Sequence, residues 1–312
     1  MSPFFSVVIP LYNKEDYIYN TLNSAINQSY KDFEIIIIND GSTDGSLEKI
    51  KLIKHPSFKI YTTENKGVAA ARNYGISQSR GTYIALLDAD DIWHNNHLDE
   101  LQKTISKFPE GDLFSNNYEI DFGNNFIKPA RFSVPIKTKP FIVDDFFKAN
   151  RKNSIVWTSS ACFSKSSFNQ IGGYNEDLKT AQDLDLWIRY ALKYKIVFNP
   201  KITMTYSFYD RNSLSRTDLN SIRYNFIENF KDQEKNNSSL KEYLDINRYA
   251  VALRCKLNNE NELYQTLKKD IDPSNLNRLQ NMILKLPKPV LKLLKKTHYF
   301  LIQNHLYFTA FK

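Results

Sequence analysis

Glycine is scarce in this chain, nine residues in 312, and cysteine is scarcer still, at two. So little glycine rules out a collagen-like repeat. Neither a G-x-x-x-x-G-K-[ST] loop nor a G-x-G-x-x-G turn is present, so the two common glycine-rich phosphate cradles are excluded. Cys162 and Cys255 lie far apart with no C-x-x-C, which excludes a zinc knuckle and a disulfide framework. They are expected to be free buried thiols of a reducing, cytoplasmic setting. No apolar window is long enough to span a bilayer. The opening "MSPFFSVVIP" has no basic leader and reads as a first β-strand, not a signal peptide. The five histidines, His55, His94, His97, His298 and His305, lack ligand spacing; His94 and His97 read as a solvated helix start. Acidic residues are also missing from one end, since none follows Asp272.

What is present is an ordinary globular composition, 42% hydrophobic and 24% charged, with aromatics at 14%. The length suits one large α/β domain with a smaller appendage. The expected boundaries are 1–215 for the α/β domain and 216–312 for a helical region with a basic amphipathic end. The net charge is +8, and seven positive residues lie beyond Asp272 (Arg278, Lys285, Lys288, Lys292, Lys295, Lys296 and Lys312), which leaves residues 1–272 at about +1. A nearly neutral body with a basic tail is not a nucleic-acid footprint.

Along the chain, "FFSVVIPLYN", "FEIIIIND", "FKIYTTE" and "GTYIALLDADD" read as strands. The second is a continuous β-branched run of the kind that parallel strands covered on both faces require. Helical patterns follow in "KEDYIYNTLNSAINQS", "GSLEKIKLIK", "GVAAARNYGISQS" and "NNHLDELQKTISKF". Strand–helix alternation predicts a mostly parallel α/β sheet, whose ligands bind beyond the carboxyl ends of the strands. Asn13, Asp40 and the run Asp88–Asp91 fall at those ends. Residues 113–157 are mixed and strand-like. "AQDLDLWIRYALKY" is an amphipathic helix with acids at its start, and "IVFNPKITMTYSFY" is expected to supply two further strands.

Three carboxylates in four residues, Asp88, Asp90 and Asp91, repel one another unless a cation joins them. Mg²⁺ and Mn²⁺ take hard oxygen ligands, commonly one or two carboxylates completed by substrate phosphates. If the segment stays extended, Asp88 and Asp90 share a side, one for metal and one for a sugar hydroxyl. Asp91 then faces away or caps the next helix.

Six blocks, in order, resemble the family-2 glycosyltransferases, inverting enzymes with the GT-A fold. They are "VVIPLYN" (7–13), "IIIINDGSTDGS" (35–46), "NKGVAAARNYGI" (65–76), "GTYIALLDADD" (81–91), "IGGYNEDL" (171–178) and "AQDLDLWIRY" (181–190). The resemblance implies a base pocket of Pro10, Tyr12 and Asp40, with Glu15 as a further nucleotide contact. It implies that Arg72 lies near the base or diphosphate, that Asp88 binds ribose with Ala89 beside it, and that Asp90 binds the divalent metal. It also implies Asp183 as the catalytic base. The chain departs from the family at Asn39, where the loop usually opens with Asp, and at Gln182, which replaces a Glu. It departs again at Asp210, which stands before Ser213 and Ser215 where a metal-binding His is usual, and Asp remains a legitimate hard ligand. Trp157 and Trp187 are candidates for stacking on an acceptor sugar, with core packing favoured for each.

The implied function is transfer of a sugar from a nucleotide donor, a UDP-sugar first, to a hydroxyl of a glycan or lipid-linked precursor, with Mn²⁺ or Mg²⁺ as cofactor. The rivals are a nucleotidyltransferase, which should carry a glycine-rich loop after the first strand, and a non-catalytic sugar-nucleotide-binding module. The Lys- and Leu-rich tail from about residue 290 is expected to form a helix, either on an anionic membrane surface or packed on the body or a second subunit.

Overall fold

The computed structural model describes residues 2–53, 55, 58–208 and 218–306. The first half alternates β1 (Phe5–Leu11), α1 (Ile18–Ile26), β2 (Phe33–Asp40), α2 (Ser46–Lys51), β3 (Phe58–Thr63), α3 (Val68–Ser77), β4 (Tyr83–Leu86), β5 (Ile92–Trp93) and α4 (His97–Lys107). It continues through β6 (Leu113–Asp121), β7 (Ile127–Pro129), β8 (Phe141–Ile142), α5 (Phe146–Ala149), a 3-10 turn (Thr158–Ser160), β9 (Ala161–Ser164), α6 (Lys165–Ile171), α7 (Gln182–Lys193) and β10 (Ile196–Ser207). Helices follow: α8 (Asn220–Glu228), α9 (Lys231–Glu234), α10 (Ser238–Asn258), α11 (Asn261–Asp270), α12 (Arg278–Lys285) and α13 (Lys288–Gln303).

Among the described residues the strands form one ten-stranded sheet with the path β3-β2-β1-β4-β9-β6-β10-β5, while β7 pairs with β6 and β8 with β10. β1, β2, β3 and β4 are parallel; β9 runs against both β4 and β6, and β10 is parallel to β6. Six strands therefore share one direction. Every residue of β1 and β2 is buried, as both-face coverage demands. Alternation sorts them: Val7 and Ile9 join a core with α1 and α4, whereas Val8 joins the core on the opposite face with α3, α7 and the C-terminal helices. Phe226, Leu240, Tyr243 and Leu244 of α8 and α10 belong to that second core, together with Phe147 of α5.

Two sequence expectations need correcting. "IVFNPKITMTYS" is one twelve-residue strand, not two; its pairing with β6 shifts register between Asn199 and Ile202 and again before Thr205. Pro200 lies in the first shift, where its missing N–H costs no ladder bond. The segment Asp88–Asp90 is not extended either. β4 ends at Leu86, and the Asp91 N–H donates to the Asp88 carbonyl at 3.1 Å, closing a turn. Asp88 and Asp90 therefore do not share a strand face.

Candidate active site

β1 explains why a cleft opens where it does. The Leu87 N–H donates to the Val8 carbonyl at 3.1 Å, so even-numbered positions of β1 turn their backbone groups toward β4. Pro10, two residues on, faces the gap left where β4 has ended, and there a missing donor is harmless. The gap widens into a cavity of about 500 Å³ lined by the segments after β1, β2 and β4, the start of α3 and the start of α7. Pro10, Tyr12, Asp40, Arg72, Asp88, Ala89, Asp90 and Asp183 all line it.

Asp40 is the last residue of β2 and is buried. Its Oδ1 accepts from the Lys66 N–H at 2.9 Å and its Oδ2 from the Gly67 N–H at 2.8 Å, tying the loop before α3 to the end of the sheet. Gly67 holds φ +94°, a conformation that strains other residues, and begins α3. Tyr12 is 46% exposed at the cavity mouth. Glu15, expected as a nucleotide contact, lies beside the residues that line this cavity and is not among them. Its Oε2 accepts from the Gly45 N–H at 2.7 Å, fastening the start of α1 to the loop after β2.

Arg72 is 3% exposed, and its Nη2 lies 2.6 Å from Asp88 Oδ1. Its Nε and Nη1 are buried with no hydrogen-bond partner among the described residues. Burial works against its charge, but Asp88, Tyr174 and Asp183 together more than offset this and raise its pKa. Two orphaned guanidinium N–H groups on a cavity wall suit a bidentate anion. Asp90 Oδ2 accepts from the Lys14 ammonium at 2.6 Å. Asp91 borders the same cavity as Asp88 and Asp90 and does not cap α4, whose N-cap is Asn96. It is 1% exposed, accepts from Ser159 Oγ at 2.6 Å and from the Ser207 N–H at 3.0 Å, and so ties β10 to the 3-10 turn. Burial pushes its carboxyl well up, with Asp90 and Asp88 adding to the shift.

At the far end, Asp183 sits in the first turn of α7. It keeps some surface toward the cavity but is closed in by protein on its other sides. Burial raises its pKa, Arg72 opposes and Asp88 adds. The Thr158 hydroxyl reaches its Oδ2 at 3.5 Å. The preceding Ala181 has φ +63°, an unusual backbone for a residue with a Cβ, and it turns the chain sharply into the helix.

Of the two tryptophans, Trp187 is core, whereas Trp157 lies on the cavity wall against Tyr206, with ring centroids 4.2 Å apart. His97 is buried, not solvated. It stacks on Trp93 at 4.3 Å and its Nδ1 lies 2.7 Å from Thr203 Oγ1, and burial pushes its pKa down to about 3. Both cysteines are buried and free. Lys14, Lys66, Thr158, Glu176, Lys179 and Tyr206 are among the cavity residues to which sequence alone gave no role. Asp210, Ser213 and Ser215 lie outside the described residues.

The residues present suit a divalent cation. Asp90 supplies hard oxygen, and the ammonium seated on it marks a place that attracts positive charge. Among the described residues no three acidic, His or Cys side chains cluster to hold a metal by themselves, so substrate oxygens would have to complete the shell.

The profile of the family described as "Glycosyl transferase family 2" matches residues 6–172. The chain belongs to that family. An uncharacterized glycosyltransferase of Rickettsia conorii is 28% identical over 257 residues, covering 80% of this chain and 42% of the relative. Chondroitin synthase of Escherichia coli is 29% identical over 193 residues, covering 60% of this chain and 26% of the relative. The chain thus spans less than half the length of these curated relatives. Residues 1–349 of Staphylococcus aureus TarS, solved in complex with UDP-GlcNAc, superpose with a TM-score of 0.67 at 18% identity, covering 99% of this chain and 93% of that one. A mannosyltransferase of Pyrobaculum calidifontis, solved with GDP-Man and Mn²⁺, gives 0.55 at 17%, covering 97% and 81%. At such identities the likeness carries the fold, which is GT-A.

Proposed function

We propose that this chain is an inverting glycosyltransferase that moves a sugar from a nucleotide-diphosphate donor, a UDP-sugar first, to a hydroxyl of a glycan or lipid-linked glycan precursor. The observation that carries the reading is the make-up of one cavity. One end holds Asp40, the orphaned Arg72 N–H groups, Asp88 and Asp90, and the other holds Asp183 with a raised pKa.

In this reading the base lies against Pro10 and Tyr12 with its imide N–H toward Asp40, and the ribose lies beside Asp88 and Ala89. Arg72 takes the diphosphate. Asp90, with Asp210 from outside the described residues, would hold Mn²⁺ or Mg²⁺, which when bound serves as a Lewis acid for the leaving phosphate. Asp183 takes the acceptor proton. The diphosphate leaves without needing a proton, unlike the leaving group of a glycosidase. Attack from the Asp183 side, opposite the leaving diphosphate, inverts the anomeric centre.

Residues 216–312 are proposed as a helical region beside the 1–215 GT-A domain, of which Leu219 reaches the cavity wall. No helix among the described residues is long and apolar enough to cross a membrane. α13 instead supports a peripheral role on the inner face of the cell membrane. Val290, Leu293 and Phe300 are exposed at helical spacing, with Lys292 and Lys296 beside them.

The test is a panel of nucleotide sugars with Mn²⁺ or Mg²⁺, scored for released nucleoside diphosphate with a glycan acceptor. Release of UDP from at least one UDP-sugar is expected. Donor binding without turnover, unchanged by Asp183→Asn, would instead favour a non-catalytic binding module.

A further inference from the structure

The carboxylate on which the donor's cation is expected already has a cation of the chain's own. Lys14 Nζ lies 2.6 Å from Asp90 Oδ2, and both side chains are mostly buried, at 17% and 18% exposure. The backbone beneath this lysine is firmly fixed. The Lys14 N–H donates to Ser46 Oγ at 2.8 Å, the Asn13 carboxamide oxygen accepts from the Thr43 N–H at 2.8 Å, and Glu15 holds the Gly45 N–H. Asn13 itself takes φ +50°, the left-handed conformation that Asn tolerates, and this turns Lys14 toward the cavity. A fixed root with a flexible four-carbon stem lets the ammonium swing while its base stays in place.

The electrostatic need for this cation is plain. Asp88, Asp90 and Asp91 crowd one turn, and leaving any of them buried without a counter-charge is costly. Arg72 serves Asp88, hydrogen bonds from Ser159 and Ser207 serve Asp91, and Lys14 serves Asp90. An ammonium and a divalent cation cannot share one carboxylate oxygen, because like charges at contact distance repel strongly.

We propose that Lys14 is an exchangeable counter-cation. In the donor-free protein its ammonium neutralises Asp90. In the donor complex the same ammonium leaves Asp90 and pairs with the diphosphate, so that Asp90 becomes available to a divalent cation only when a nucleotide is there to receive Lys14. The inference rests on the donor-site reading above and adds a consequence to it: nucleotide and cation bind cooperatively, each tightening the other by the same factor.

The test is a Mn²⁺ titration followed by the paramagnetic resonance of the free ion, with and without UDP. It uses wild type, Lys14→Met, Lys14→Arg and Lys14→Met/Asp90→Asn, each confirmed as folded by circular dichroism. Without UDP, Lys14→Met is expected to bind Mn²⁺ about tenfold more tightly than wild type, as removal of one mostly buried competing charge implies. Lys14→Arg is expected to stay close to wild type, and the gain is expected to vanish in the double variant. UDP should improve Mn²⁺ affinity less in Lys14→Met than in wild type. Equal Mn²⁺ affinity of Lys14→Met and wild type without UDP would overturn the exchange, as would a gain that persists without Asp90. Failure of the donor-site reading looks different, because calorimetry in metal-free buffer would then find no UDP binding to any of these proteins.

Discussion

A carboxylate that must take a proton from an acceptor hydroxyl gains from a pKa lifted toward the working pH, and at Asp183 burial provides that lift. The same burial works against stability. A carboxyl whose folded pKa is raised holds its proton more tightly folded than unfolded. Its ionised form therefore weakens the fold at neutral pH, and the weakening is relieved as pH falls through the raised value. Asp183→Asn is thus predicted to lower transfer by about 10²–10⁴-fold, to leave UDP affinity within a few-fold, and to raise the melting temperature. Full activity in this variant would remove Asp183 from the chemistry. His97 gives the opposite profile. Its folded pKa of about 3 lies below the usual value near 6.5, so the stability it contributes is complete above pH 6.5 and drains away as pH falls toward 3. Urea unfolding at pH 7 and pH 4.5 is expected to show that loss in wild type and a smaller one in His97→Asn. Asp40, Asp88, Asp90 and Asp183 were readable from sequence because acids at predicted strand and helix ends are conspicuous. Lys14 was not, because its partner is 76 residues away and a lone lysine in "YNKED" carries no pattern. Glu15 and Asp91 show what a sequence leaves open: the carboxylates of both are held by N–H and hydroxyl groups of the protein itself, partners that no local pattern announces.

The long elements followed from residue periodicity, and the short ones did not. β1 and β2 are unbroken apolar runs, and α7 has a clear apolar stripe. β5 and β8 are two residues each, and they exist only because β10 offers them a partner, as in Trp93 opposite Met204. The DAD turn misled for a related reason: alternation describes a strand, and the strand had ended two residues earlier. α3 shows how an element places the site. A Cβ at Gly75 would lie 2.6 Å from Val8 Cγ1 and 3.0 Å from Ile38 Cγ1, so the helix lies hard against β1 and β2. Gly75→Ala is predicted to destabilise the protein by about 1–3 kcal/mol through overpacking, seen in urea unfolding. Because Arg72 rides one turn earlier on the same helix, UDP affinity should fall with it. A variant as stable as wild type would mean that α3 can move away from the sheet without cost.

For the whole molecule the charge distribution is the distinguishing feature: a nearly neutral body and a cationic end with no acid after Asp272. α13 buries Leu291 and shows Leu293 and Phe300 outward beside lysines. Flotation with vesicles containing anionic lipid is predicted to recover the protein, and vesicles of neutral lipid to recover far less. Lys292→Glu with Lys296→Glu should reduce recovery by about tenfold or more, each lysine near such a surface contributing about 1 kcal/mol. Recovery that ignores lipid charge would contradict a peripheral anionic surface. The donor site is the claim from which the rest follows, and the most direct test is a crystal structure with UDP and Mn²⁺. The expected result is the uracil against Asp40 and Tyr12, the diphosphate between Arg72 and the Asp88–Asp90 turn, and the ion on Asp90. Nucleotide found instead in the separate cavity beside Asn220 and Glu260, or anywhere away from that turn, would contradict it.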